Sequence, residues 1–335
     1  MLRYPEAESE QLVRIEADVE GQTGGERAAR IERATEALLA DGVVIITQAV
    51  DPAFLERLAA RMATDLEQLL RRPERAENFA AGHLQQDPPP EPDLLLPDVL
   101  ANPVALEVCR RAMRQPVRLS RYTNNTNMPG SEPQALHLDE GQLWPGLSEA
   151  PLPARLLVNI PLSTTVADYG PTEVWPGTHL DTRVGQFSAT PAEGTARALS
   201  YVLAARRANV HLRVNRRVGL TVPDEMAEER RTGRPPLGAE TQLGDLIIRD
   251  PRVWHRGTAN RSGHSRFMLA LTYDPMWRRP EAPLTLPSAA RPIFDRAELV
   301  TSAEFVDGPI GYLDRHLPPP SSPLRRATAP ATGDD

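Results

Sequence analysis

Lysine is missing from all 335 residues, so the 38 basic side chains are all arginine. That absence excludes a Walker A lysine, a Schiff-base lysine for pyridoxal phosphate and any lysine nucleophile. Cysteine is nearly missing too. Cys109 stands alone, cannot close an internal disulfide, and is too little for a thiolate zinc site, which fits a reducing compartment. No apolar run approaches the roughly 18 residues of a membrane-spanning helix. The opening MLRYPEAESEQ is acidic and has no apolar h-region, so the chain reads as cytoplasmic rather than secreted. Positive charge is in deficit: 45 acidic residues against 38 basic give a net charge of -7. A nucleic-acid binder carries a clustered basic face, so neither nucleic acid nor membrane is expected as a partner. No internal repeat is present.

What is there is globular. Hydrophobic residues make up 40 % of the chain, enough for a sizeable core, and the length suits one elaborated domain or two small ones. The 34 prolines cluster at 88–97, 275–292 and 318–330, the last inside a tail that reads as disordered. The first third is helical. Glu26 to Ala40 places Ile31, Ala34, Leu38 and Leu39 near one face, and Gly42 ends the helix before a short buried strand, VVIIT. Asp51 and Pro52 form an N-cap and first turn for a helix running to about Arg72, and Asn102-Pro103 opens another to Met113. From about Pro116 short strands follow: VRLSRYTNN, QALHLD, ARLLVNIPL, TEVW, DLIIR, RVWHR and SRFMLALTY. This pattern predicts a mainly β protein with flanking helices, an α+β chain for which a sandwich, barrel or jelly roll is the standard solution. The expected division is 1–114 for the helical flank and a substrate loop, 115–279 for the β core, and 280–335 for a proline-rich extension. Residues 180–243, with the helical stretch TARALSYVLAARRA, interrupt the core as an inserted lid.

His137-Leu138-Asp139 is the first set that carries chemistry. In an extended strand, residues two apart share a face, so both side chains can approach one ion. Downstream, His255 ends another strand. Two imidazoles and a carboxylate on one side of a metal leave positions open, as non-haem iron(II) oxygenases need. A second H-x-D, His179-Leu180-Asp181, follows the turn sequence Trp175-Pro176-Gly177-Thr178, which disfavours the strand geometry there. Arg266 lies 11 residues after His255, across turn-forming residues. If that turn closes a hairpin, its guanidinium returns near the metal, able to grip a carboxylate in a bidentate fork.

Four ordered motifs turn these pieces into a resemblance. They are His137-Leu138-Asp139, Gly170 to His179 (GPTEVWPGTH), Gly244-Asp245-Leu246-Ile247-Ile248, and Trp254-His255-Arg256-Gly257 with Asn260, Ser262 and Arg266. Over about residues 75–275 the chain resembles the phytanoyl-CoA dioxygenase (PhyH-like) family of Fe(II)/2-oxoglutarate-dependent oxygenases. The resemblance implies a double-stranded β-helix, a jelly roll of the cupin kind. It implies iron(II) at His137, Asp139 and His255, with 2-oxoglutarate and dioxygen as cosubstrates and succinate and CO2 as coproducts. Arg266 would hold the distal carboxylate of 2-oxoglutarate, and Asn127, Gln134 and Thr172 match further cofactor-pocket positions. Gly257 stands where many relatives have a serine, and the Pro-Gly-Thr-His turn gives His179 a structural role. Halogenating relatives replace the iron carboxylate with a small residue, so Asp139 implies oxygenation.

The segments Asn78 to Pro89 and Thr123 to Ser131, with His137 to Glu140 and Leu143 to Gly146, are similar to a branch that includes an aminoglycoside-tailoring dioxygenase. That likeness implies a small-molecule substrate from secondary metabolism or antibiotic biosynthesis. Gln85, Asp87, Glu140 and Trp144 are the candidate substrate contacts. Asp87, Glu140 and Glu173 could receive a cationic substrate, or could simply be solvated or capping carboxylates. Trp144 and Trp175 could line the pocket or pack. Hydroxylation is the leading reaction, with desaturation, cyclisation and epimerisation starting from the same iron chemistry. Two readings from other classes compete. One is a zinc hydrolase on the same ligands, which would have no use for Arg266; the other is a non-catalytic binding module.

Overall fold

The computed structural model describes residues 11–17, 23–72, 77–78, 80–144, 147–183, 221–280 and 282–314. Helix α1 (Gly24–Asp41) begins at a capping box, in which Thr23 accepts from the Glu26 amide and the Glu26 carboxylate accepts from the Thr23 amide. It ends at Gly42, whose φ of 75° is the left-handed conformation that glycine takes without cost. Strand β2 (Val43–Thr47) follows at once. Helix α2 (Pro52–Leu70) starts with Asp51 accepting from the Ala53 amide and proline in the first turn. A single turn, α3 (Pro97–Leu100), precedes α4 (Pro103–Met113), where the Asn102 side chain accepts from the amides of Val104 and Ala105.

Among the described residues a nine-stranded sheet forms the larger layer. Its path is β1 (Arg14–Glu16), β2, β9 (Leu246–Arg249), β6 (Leu156–Pro161), β11 (Arg266–Pro275), β5 (Val117–Asn127), β4 (Ala80–Gln85) and β3 (Glu77–Asn78). The ninth strand, β13 (Val300–Thr301), lies parallel to β5. A smaller sheet orders β10 (Trp254–Gly257), β7 (Thr172–Trp175) and β8 (Leu237–Ala239). Helix α5 (Asp224–Gly233) precedes β8, and β12 (Thr285–Pro287) pairs with β14 (Glu304–Val306) around α6 (Arg291–Arg296).

Strand alternation gives the large sheet two different faces. One face carries Val44, Ile46, Leu246, Ile248, Leu156, Val158, Ile160, Leu269, Leu271, Leu119 and Tyr122. These join Leu38, Phe54, Leu58, Met62, Val108 and Cys109 from the helices in the main core. The other face meets the small sheet through a second cluster of Val43, Ile45 and Ile247 with Val174, Ala239 and Val253. That inter-sheet face also carries the chemistry. The register lines up His83, Asn127 and Arg266 in one row across β4, β5 and β11. Leu157 and Arg249 lie opposite each other on β6 and β9.

Two local expectations are overturned. QALHLD is not a strand: it makes isolated bridges at His137, to His255 with amide and carbonyl paired at 3.0 and 2.9 Å and to Thr221, and the Gln134 amide bonds to the Gly257 carbonyl. The amides of Asp139 and Glu140 then both turn to the Pro251 carbonyl, which pulls the chain off the ladder. Nor do residues 258–265 close a hairpin. β10 pairs with β7 while β11 pairs with β5 and β6, so this segment crosses between sheets. Asn260 pins the crossing, donating from its side chain to the carbonyls of Asn127 and His264. The helical stretch TARALSYVLAARRA, most of the expected lid and the proline-rich tail lie outside the described residues.

Candidate metal centre

His137, Asp139 and His255 each offer one ligand atom, and these atoms lie within 4.8 Å of one another. His255 comes from β10 and His137 from the segment bridged to it, so the mutual backbone pair sets their rings 4.4 Å apart, centroid to centroid. The Nδ1 atoms are engaged by carbonyls two residues upstream, Ala135 for His137 at 2.8 Å and Val253 for His255 at 2.9 Å. Each Nδ1 therefore donates, and each Nε2 is left as the ligand atom. Burial and the neighbouring His255 ring push the His137 imidazole down to about 3, so it stays neutral, as a ligand must.

Asp139 completes the set, with Oδ1 4.0 Å from His137 Nε2 and Oδ2 3.4 Å from His255 Nε2. Its side chain is a third exposed; partial desolvation opposes its charge, but the Arg249 guanidinium and the two imidazoles outweigh that and hold the carboxyl well below the usual range. Leu138, between the two ligands, points the other way into a cluster with Trp175, Val222 and Trp254. The donors are two imidazole nitrogens and one carboxylate, a set that suits iron(II) with open positions. The chain's single thiol, Cys109, is buried in the helical core.

Arg266 is 3 % exposed, and among the described residues no carboxylate faces it. Its Nη1 reaches only the Met268 sulfur at 3.3 Å, and its Nε has no acceptor. Burial drags the guanidinium down to about 10. A charge desolvated without an anion is costly, so the site fits a carboxylate supplied by a ligand, as 2-oxoglutarate would supply one. Thr172 stands beside it, its Oγ1 4.0 Å from the same sulfur.

The other sequence candidates are placed as follows. Asn127 donates to the carbonyls of Thr258 and Gly170, and Gln134 Oε1 accepts from the Gly257 amide at 2.8 Å, so both brace the loop after His255. Gln85 donates to Thr123, which in turn donates to Asp87. Glu140 is buried and ion-paired with Arg278 at 2.7 Å, with Arg155 3.9 Å away. Glu173 pairs with Arg256 at 2.9 Å. Trp144 is 56 % exposed, whereas Trp175 is buried against Trp254. His179 donates from Nε2 to the Leu39 carbonyl and stands outside the metal-ligating group.

Two residues escaped the sequence reading. His83 fills the space beside Gly257, where a Cβ would come within 2.8 Å of its Cε1. Arg249 bonds to Asp139. An arginine inside the apolar run LIIRD was the one available signal for it.

The sequence profile described as Phytanoyl-CoA dioxygenase (PhyH) matches residues 38–268. Among solved structures, HygX from Streptomyces hygroscopicus, determined with nickel, 2-oxoglutarate and hygromycin B bound, is 14 % identical at a TM-score of 0.45, covering 76 % of this chain and 90 % of its own. The non-heme alpha ketoglutarate dependent carbocyclase SnoK from nogalamycin biosynthesis is 18 % identical at 0.44, covering 73 % and 83 %. The epimerase SnoN from the same biosynthesis is 16 % identical at 0.47, covering 74 % and 82 %.

Proposed function

Because the chain belongs to the phytanoyl-CoA dioxygenase (PhyH) family and is an Fe(II)/2-oxoglutarate-dependent oxygenase, we propose that it hydroxylates a small, polar natural product. In this reading the two facing sheets are a double-stranded β-helix, and His137, Asp139 and His255 hold the iron. The carbonyls of Ala135 and Val253 keep both imidazoles in the tautomer that presents Nε2. Arg266 takes the distal carboxylate of 2-oxoglutarate in a charge-assisted fork, while Thr172 flanks it. Asn127 and Gln134 hold the loop after His255 in place. Iron with dioxygen and 2-oxoglutarate supplies the oxidising power, releasing succinate and CO2.

The observation that carries this reading is the buried Arg266, which has no acidic partner among the described residues. A zinc hydrolase on the same three ligands has no need of it. The polar substrate is supported by the inter-sheet face itself. Gln85, Thr123 and Asn125 line its β4–β5 side with carboxamides and a hydroxyl, while Leu157 and Ile247 put apolar groups on the β6–β9 side. An aminoglycoside-like molecule, rich in hydroxyl and amino groups, suits such a wall better than an acyl chain does.

The test is anaerobic addition of iron(II) and 2-oxoglutarate, followed by the weak visible charge-transfer band of the chelate. The wild type is expected to show the band and His255→Ala to lose it. Folded, metal-loaded wild type without a band overturns the oxygenase reading. Turnover of amino-sugar substrates under 18O2 then reads the reaction type, since hydroxylation places one labelled oxygen in the product and one in succinate.

A further inference from the structure

Arg249 lies on β9, deep between the sheets and 6 % exposed. Its donors are divided among different tasks. Nη2 bonds to Oδ2 of Asp139. Nε donates to Asn159 Oδ1 at 3.0 Å, and the Asn159 amide nitrogen is 3.3 Å from the Leu269 carbonyl on β11. The guanidinium is thus fixed by the sheet rather than by the flexible stem of its own side chain. Nη1 is buried and has no acceptor.

Arg252, three residues on, is equally buried but is satisfied all round. Its Nε and Nη2 bond to Asp250 at 2.9 and 2.6 Å, and its Nη1 to Gln142 and the Pro151 carbonyl. That is the pattern of an arginine whose work is structural. Arg249 spends one arm on a candidate metal ligand and leaves the other bare beside it, and an unmatched buried donor is costly.

We infer that Arg249 is a positioning residue: it commits one oxygen of Asp139 so that the carboxylate offers the metal a single oxygen, and it keeps its second arm for an oxygen of the metal's exchangeable ligand. A carboxylate free to swing could occupy two metal positions and close one that cosubstrate needs. Arg249 holds Oδ2, which also lies 3.4 Å from His255 Nε2, and leaves Oδ1, 4.0 Å from His137 Nε2, as the oxygen with no arginine on it. The inference rests on the iron reading above and extends it to a residue outside the three ligands.

The test compares wild type, Arg249→Gln and Arg249→Lys. Iron(II) affinity is measured by chelator competition in the absence of turnover, and the charge-transfer band is recorded with 2-oxoglutarate. Circular dichroism and metal-free melting report the fold. Arg249→Gln is expected to weaken iron(II) binding by about ten- to a hundredfold, in the range of other groups that orient metal ligands, and to shift the band. Arg249→Lys is expected to recover part of the metal affinity but not the band position, since one ammonium cannot serve two oxygens in the fixed geometry of a guanidinium. Unchanged affinity and band in a folded Arg249→Gln overturn the inference. Should that variant fail to fold, Asn159→Leu keeps the arginine but removes the acceptor that aims it. A smaller loss of iron affinity in the same direction is then expected, and none at all overturns the inference. A wild type that binds iron(II) yet shows no band removes the oxygenase reading, while the affinity comparison still decides on Arg249.

Discussion

At the scale of single residues, the centre is a set of charges arranged to need something from outside. Arg266 illustrates it: burial lowers its pKa to about 10, and no carboxylate of the described residues compensates. Arg266→Gln should therefore raise the KM for 2-oxoglutarate about ten- to a hundredfold, the worth of hydrogen bonds to a charged group. Iron(II) affinity should stay as in the wild type. Steady-state kinetics and metal titration on the same preparation check both halves, and an unchanged KM would remove Arg266 from the cosubstrate site. That His137, Asp139 and His255 could come together was legible in the sequence, and the structure brings their ligand atoms within 4.8 Å of one another. Arg266 was singled out by the family resemblance, since the hairpin expected to return it does not form. His83 and Arg249 were not. Each owes its place to a partner brought close only by folding, Gly257 for one and Asp139 for the other, and beyond the oddity of an arginine in the run LIIRD nothing in the flanking residues records that.

At the scale of elements, caps and periodicity were readable and pairings were not. Gly42, Asp51 and Asn102 marked helix ends that the structure keeps, and VVIIT is β2 residue for residue. The turn between β10 and β11 looked like a hairpin because a hairpin is the shortest way back. The structure instead uses it to change sheets, a choice made by β7 competing for β10. Gly42 shows how closely an element end can be tied to the centre. Its amide donates to Leu38 and its carbonyl accepts from Asp250, while a Cβ there would stand 2.2 Å from a Val253 methyl and 2.6 Å from His179 Nδ1. Gly42→Ala adds that collision to a left-handed φ and should cost more than about 2 kcal/mol. Denaturant unfolding measures it. A cost within error of zero would mean that the Val253 and His179 side chains give way freely, and that their packing against Gly42 does not constrain the approach to β10.

At the scale of the whole molecule, the buried histidines set the response to acid. Burial above all lowers the pKa of His83, His137 and His179 below the 6.5 of a free imidazole. The unfolded chain therefore binds more protons than the folded one as pH falls below about 6.5. Their stabilising effect is complete above that value and is lost on the way down towards the folded-state values. Metal-free protein should show a lower urea midpoint at pH 5.5 than at pH 7.5, and a midpoint that rises on acidification would contradict these burials. No helix of the described residues is long and apolar enough to cross a membrane. The overall layering followed from the strand pattern, whereas the nine-stranded path did not, since long-range pairing leaves no trace in local periodicity. The alternation of the large sheet also has an evolutionary reading. Leu119, Leu269 and Val158 answer to the helical core, while Thr123 and Asn125, on β5 beside them, face the space between the sheets. Selection can rewrite one set without disturbing the other, so a lineage built on this sheet is free to explore new substrates while its fold stays in place.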